Sequence, residues 1–202
     1  MTKIKLCGLR RQVDILAANQ LAPDYVGFVF AKKSRRFVTP EEAAPLKALL
    51  DPAIRAVGVF VDEDVERVAA LLRSGVIDCA QLHGHEDASY VARLRAITGQ
   101  PVIQAFRVAG AGDIARAENS PADLILLDAG AGEGKPFDWS LLRGVRRPYF
   151  LAGGLTCGNV GPAVEALKPF GVDVSSGIET DGIKDVEKMR AFVAAVREKG
   201  AP

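Results

Sequence analysis

Leu151-Ala152-Gly153-Gly154-Leu155 and Val172-Asp173-Val174-Ser175-Ser176-Gly177-Ile178-Glu179 decide the fold. Each is a short apolar run of β type that ends in residues with little or no side chain. Such turns let backbone N–H groups approach a ligand closely, and a following helix N-terminus adds positive potential. Two of them on successive strand ends make a phosphate cradle. In an eight-fold β/α barrel that cradle sits after strands seven and eight. Gly153, Gly154, Ser175, Ser176 and Gly177 therefore predict both an architecture and a substrate with a phosphate handle.

Working outward, apolar runs alternate with helical patterns along the whole chain. Strands are expected at Ile4–Cys7, Tyr25–Phe30, Ile54–Val61, Cys79–His83, Val102–Val108, Leu124–Asp128, Tyr149–Ala152 and Val172–Ser175. They lack strict polar alternation, as parallel strands covered on both faces do. Between them, Val13, Leu16, Ala17 and Leu21 form one apolar stripe, and Val65, Val68, Ala69 and Leu72 another. Asp62-Glu63-Asp64 and Thr39-Pro40-Glu41-Glu42 have the chemistry of helix starts. Val186, Met189, Val193 and Val196 mark the last helix, while Ala109–Asn119 and Asp138–Gly144 are short for helices five and six. The fold class expected is α/β: a single-domain (β/α)8 TIM barrel over residues 1–202. An open doubly wound sheet is the rival, but no GxGxxG follows the first strand.

Bulk properties narrow the function. The chain has 202 residues, is 49% hydrophobic and 25% charged, and carries a net charge of +1. No basic excess points to nucleic acid, and no run has the length of a membrane helix. The N-terminus lacks the apolar region of a signal peptide. Three cysteines without CxxC spacing fit a reducing, cytoplasmic setting. The composition is compatible with a monomer or a homodimer.

The barrel reading sorts the polar residues. Cys7, Arg36, His83, Arg107, Asp128 and the two glycine turns fall at strand C-terminal ends, on the active face. Asp24, Asp78 and Asp123 precede their strands and fall at the bottom, where stability is the default role. Cys7 should look into the barrel mouth, and a thiol there needs nearby positive potential to act as a base. Cys79 reads as packing. Cys157, near a helix start, is the rival reactive thiol. Asp128 ends the apolar run Leu124-Ile125-Leu126-Leu127; an apolar surround would raise its pKa and suit a general acid, whereas a cap or a salt bridge with Lys135 is the bland reading. Arg36 lies in a basic loop on the active face, where a guanidinium can grip a carboxylate with two hydrogen bonds. His83 and His85 form an HxH, but no third and fourth ligands are evident, so no metal is expected and His83 reads as a pocket-wall hydrogen-bonder. Gly130-Ala131-Gly132-Glu133-Gly134-Lys135 lacks nucleotide-loop spacing and reads as a loop over the active face.

Six blocks, in order, carry a resemblance: Lys5-Leu6-Cys7-Gly8-Leu9; Gly27-Phe28-Val29-Phe30 with Ser34-Arg35-Arg36-Phe37-Val38; Gln81-Leu82-His83-Gly84; Leu127-Asp128 with Gly134-Lys135-Pro136-Phe137-Asp138-Trp139; Leu151–Leu155 with Asn159-Val160; and Val172–Glu179 with Gly182-Ile183-Lys184-Asp185. Together they resemble the phosphoribosylanthranilate isomerase family of tryptophan biosynthesis, over essentially the whole chain. The resemblance implies an Amadori rearrangement of N-(5-phosphoribosyl)anthranilate to 1-(2-carboxyphenylamino)-1-deoxyribulose 5-phosphate. It implies Asp128 as general acid, Cys7 as general base, Arg36 on the anthranilate carboxylate, the amides around Gly153-Gly154 and Ser176-Gly177 on the phosphate, and Asp173 as a further substrate contact. It implies no cofactor. Arg35 stands where the family usually has proline, and the glycine loop departs from the usual GGTGK. A relaxed sugar-phosphate isomerase also acting in histidine synthesis would use paired aspartates, which Cys7 disfavours. A phosphometabolite-binding module would not need both Cys7 and Asp128.

Overall fold

The computed structural model describes residues 1–130 and 139–199. Eight parallel strands close into a barrel in chain order. They are β1 (Lys3–Cys7), β2 (Tyr25–Val29), β3 (Arg55–Phe60), β4 (Cys79–Leu82), β5 (Val102–Arg107), β6 (Leu124–Asp128), β7 (Tyr149–Ala152) and β8 (Gly171–Val174). β1 pairs with β2 on one side and β8 on the other, so no edge is left. Every expected strand is present to within two residues at its ends.

The helices are α1 (Gln12–Leu21), α2 (Pro40–Leu49), α3 (Val65–Arg73), α4 (Ala88–Thr98), α5 (Ala111–Glu118), α6 (Val160–Leu167) and α7 (Val186–Lys199). Their starts follow the sequence signals. Thr39 Oγ1 accepts from Glu42 N–H while Glu42 reaches back to Thr39 N–H, and Asp64 caps α3 by accepting from Glu66 and Arg67 N–H. The α3 stripe is buried as read.

Two expectations change. First, α1 is rotated: Asp14, Ile15, Ala17, Ala18 and Leu21 face inward, whereas Val13 and Leu16 are 48% and 47% exposed. The cause is Asp14. Its carboxylate accepts from the N–H groups of Arg10 and Arg11 and from the Arg11 guanidinium, which fixes the acid on the inner side and turns Val13 outward. Second, the sixth unit carries a short 3-10 helix at Trp139–Leu142 rather than an α-helix. A further antiparallel hairpin, β9 (Glu179–Thr180) with β10 (Ile183–Lys184), follows β8 and was not anticipated.

The core has two parts. Ile4, Leu6, Val26, Phe28, Val172 and Val174 point outward to the helices, in one large cluster. Val57, Cys79, Ile103, Ala105, Leu126 and Phe150 fill the barrel interior. The alternation along β1 therefore sends Ile4 and Leu6 outward, and Lys5 and Cys7 inward.

At the bottom the three aspartates act as strand staples. Asp24 accepts from Ile4 N–H and Lys3, Asp78 from Ala56 N–H and Lys47, and Asp123 from Val102 N–H and Arg95. Each thus ties the strand it precedes to the strand before.

Candidate active site

A cavity of about 350 Å³ opens at the C-terminal end of the barrel. Cys7, Arg36, His83, Asp128, Gly153, Gly154, Asp173, Ser175 and Ser176 all line it. The barrel brings these residues together from five strand ends and the loop after β2.

Cys7 ends β1 and packs against Val29 and Val59. Its in-register neighbour on β2 is Gly27, where a Cβ would lie only 2.7 Å from the Cys7 sulfur. Glycine there makes room for the thiol. Burial pushes the thiol pKa up, and the Asp173 charge adds to this; Lys5 and Lys184 pull it down without cancelling the rise.

Asp128 ends β6. Burial pushes its pKa up, but the His83 ring, the Gly130 N–H and the Arg107 charge outweigh burial and hold it below the usual carboxylate value. This corrects the expectation of a raised pKa. The apolar run sets the surroundings of Leu124–Leu127, but the carboxyl itself meets donors: His83 Nε2 lies 3.5 Å from Oδ2, and Gly130 N–H donates to Oδ1 at 2.9 Å. Lys135 and the rest of residues 131–138, including most of the glycine loop, lie outside the described residues.

Arg36 is not a free guanidinium. Nε and Nη2 donate to Glu179 Oε1 and Oε2 at 2.6 and 2.8 Å. Arg35 and Lys184 donate to the same carboxylate at 2.7 Å each. Burial raises the Glu179 pKa, but Arg36 and Lys184 dominate and hold it at about 2. Arg35, at the position where proline was expected, joins this network from a largely exposed site.

The glycine turns after β7 and β8 line the cavity between Asp128 and Cys7. Gly153 has φ +91°, and a Cβ there would strike Gly130 N and come within 2.5 Å of Asp128 Oδ1. Only glycine lets the β7 turn pass this close to the acid. Ser175 Oγ donates to the Cys7 carbonyl and lies within reach of Lys184 Nζ, tying the β8 end to β1 and the hairpin. Gly177 is one residue behind the lining residues; a Cβ would collide with the Leu155 carbonyl, so it seats the turn after β8 against the turn after β7.

The remaining expectations sort simply. His85 is 94% exposed and pairs with Asp62, so the two histidines of the HxH do not converge. Among the described residues no group of three or more His, Cys, Asp or Glu side chains could hold a metal ion. Cys79 is buried, and burial pushes its thiol up to about 12, consistent with packing. Cys157 is exposed in the turn before α6. Arg107 is in register with Asp128 but does not line the cavity. No described helix is long and apolar enough to cross a membrane.

Sequence reasoning assigned no role to Lys5, Glu179 or Lys184. All three have nearly solvent-free side chains, at 0%, 3% and 2% exposure. A lysine inside the apolar strand Ile4–Cys7 was the available signal; for Glu179 and Lys184 the flanking Gly177 and Gly182 turns gave none about partners.

The family model for N-(5'-phosphoribosyl)anthranilate (PRA) isomerase matches residues 4–195. The chain belongs to the phosphoribosylanthranilate isomerase family. An isomerase of that name from Endomicrobium trichonymphae is 43% identical over 202 residues, covering 98% of this chain and 99% of that protein. Among solved members of the family, the phosphoribosylanthranilate isomerase of Thermotoga maritima superposes with a TM-score of 0.90 at 36% identity, covering 98% of this chain and all of the other. A phosphoribosylanthranilate isomerase solved in complex with reduced 1-(o-carboxyphenylamino)-1-deoxyribulose 5-phosphate gives a TM-score of 0.88 at 35% identity, with coverage of 98% and 100%. The family's barrel is therefore the fold of this chain.

Proposed function

We propose that the protein is an isomerase of tryptophan biosynthesis, converting N-(5'-phosphoribosyl)anthranilate to 1-(2-carboxyphenylamino)-1-deoxyribulose 5-phosphate. One observation carries the residue assignment: a thiol from β1 and a carboxyl from β6 line one cavity, and the paired glycine turns after β7 and β8 line it between them. Opening the furanose needs a proton on the ring oxygen as the C1–O bond breaks, and in this reading Asp128 gives it. The iminium at C1 acidifies the C2 hydrogen. The Cys7 thiolate removes that proton, and the resulting enolamine tautomerises to the ketone. Each group supplies about 10²–10⁴-fold.

In the ligand-free molecule the His83 ring, the Gly130 N–H and the Arg107 charge hold the Asp128 pKa low. A bound substrate brings a phosphate and a carboxylate and displaces water, and both effects favour the protonated acid. Arg36 offers the edge of its guanidinium not held by Glu179 to the anthranilate carboxylate. The Gly153-Gly154 and Ser175-Ser176-Gly177 turns take the phosphate, turning remote binding into alignment. His83 and Asp173 complete the lining. The scheme needs no cofactor. We place the enzyme in the cytoplasm, where three unpaired cysteines persist, and read residues 1–202 as one barrel domain.

Expression of the chain in a tryptophan auxotroph lacking the isomerase tests the activity: growth supports it, and failure of well-expressed protein to restore growth rejects it. Cys7→Ala and Asp128→Asn test the roles. Both should lose turnover by 10²-fold or more, as roughly expected of acid and base groups, while still binding a reduced product analogue. Near-normal turnover in either variant removes that residue from the scheme.

A further inference from the structure

We infer that Lys5, sealed beneath the pocket floor, is a positioning residue that favours the thiolate of Cys7. The inference rests on the reading of Cys7 as the base. Lys5 and Cys7 are two residues apart on β1 and share its inward face. The Lys5 side chain is 0% exposed, and Nζ donates to Asp173 Oδ1 at 2.9 Å from the in-register position on β8. Lys5 does not line the cavity, so it acts on a ligand only through a neighbour.

An ammonium has three N–H donors, and Asp173 Oδ1 takes one. Cys7 follows two residues on along the same inward face, and Asp173, which holds the ammonium, lines the cavity together with Cys7. A fully buried ion pair is poor evidence of stability, because an apolar residue of similar volume often does as well or better. A lysine inside a barrel otherwise packed with Val57, Ile103, Leu126 and Phe150 therefore needs another reason. In the proposed reaction Cys7 must carry negative charge, in a pocket where water does not solvate it well.

The groups facing Cys7 divide clearly. From β2 and β3, Gly27, Val29 and Val59 offer no charge, and their apolar surface opposes a thiolate. From β8, Asp173 opposes it as well. From β10, Lys184 assists, but its ammonium is held by Glu179 and by the Ser175 carbonyl. Lys5 is the fully buried cation on the same strand face as Cys7, and its charge attracts the sulfur charge. Burial alone would lower the Lys5 pKa, yet Asp173 and Cys7 reverse this and keep it above its ordinary value, so the cation persists. The thiol proton leaves to water through the pocket mouth; no other bond changes.

The test reads the thiol, not turnover. In a Cys79→Ala, Cys157→Ser background, the rate of Cys7 alkylation by iodoacetamide is followed across neutral to alkaline pH. With Lys5→Met the midpoint should rise by about one pH unit or more, the usual size of losing a close opposite charge. With Asp173→Asn it should fall, since a negative neighbour is gone. Lys5→Arg should stay near the parent protein. An unmoved midpoint in folded Lys5→Met overturns the inference. If Lys5→Met does not fold, an unmoved or raised midpoint in Asp173→Asn overturns it. A lysine needed only for packing would lower yield and kcat without moving the midpoint. Cys7→Ala assayed alongside tests the base reading separately: if it turns over normally, that reading fails whatever the titration shows.

Discussion

The Arg36 guanidinium and the Glu179 carboxylate meet through two hydrogen bonds, Nε to Oε1 at 2.6 Å and Nη2 to Oε2 at 2.8 Å. The carboxylate comes from the hairpin after β8, the guanidinium from the loop after β2. Holding one edge of the fork fixes the plane of the guanidinium, and Arg36 lines the cavity. Under the proposed function, the pair turns a flexible arginine into an oriented receptor for the substrate carboxylate.

Glu179→Gln should therefore act mainly on binding. KM is expected to rise by roughly tenfold, the scale of about 1.4 kcal/mol, with kcat changed much less. Arg36→Met should weaken the same ligand further. Steady-state kinetics with calorimetry on a product analogue checks both. A Glu179→Gln variant with a collapsed kcat and unchanged KM contradicts the orienting role.

The same carboxylate sets an acid limit on stability. Its pKa is about 2 in the folded protein against an ordinary 4.5. A depressed carboxylate pKa stabilises the fold in full above the ordinary value and loses that contribution as pH falls towards the folded one. The difference in thermal midpoint between the parent protein and Glu179→Gln should be largest near neutrality and shrink between pH 4.5 and about 2. Calorimetric scans across that window measure it. A difference that stays constant to the acid end assigns the effect to packing.

The strands were legible because parallel strands covered on both faces read as unbroken apolar runs, and each was closed by a glycine or polar turn. The active face followed from that register, since Cys7, Asp128 and the Gly153-Gly154 turn are strand-end residues. What stayed hidden depended on partners far apart in the chain. The Asp14 carboxylate turned α1 by bonding to its own N-terminal turn, against the apolar count of Val13 and Leu16. The Asp128 pKa moved down because His83, just after β4, donates to it. Lys5 and Asp173 are 168 residues apart, as are Cys7 and Ser175. A linear pattern carries no signal for such pairs.

His83 gives a prediction of opposite sign to the usual removal of a catalytic partner. Its ring is one of the groups holding the Asp128 pKa down. His83→Leu should let burial prevail and raise the Asp128 pKa. Carbon-13 NMR titration of the Asp128 carboxyl, assigned by loss of the signal in Asp128→Asn, reads this directly. A lower or equal pKa in His83→Leu means the 3.5 Å contact does not stabilise the carboxylate.

The bottom of the barrel should respond in the reverse way to the top. Asp78 accepts from Ala56 N–H at 2.7 Å and from Lys47 at 2.6 Å, on the face away from the cavity. Asp78→Ala leaves the Ala56 N–H of β3 without its acceptor, at a cost of about 1–3 kcal/mol. Asp78→Asn keeps an oxygen for that N–H and loses only the half-exposed ion pair with Lys47, worth about 0–1 kcal/mol. Denaturant midpoints should therefore rank the parent above Asn and Asn well above Ala, with kcat/KM within about twofold of the parent for both, because neither substitution reaches the cavity. Equal losses in the two variants would assign the staple to charge, and a fall in kcat/KM at constant stability would mean that the bottom of β3 communicates with the site.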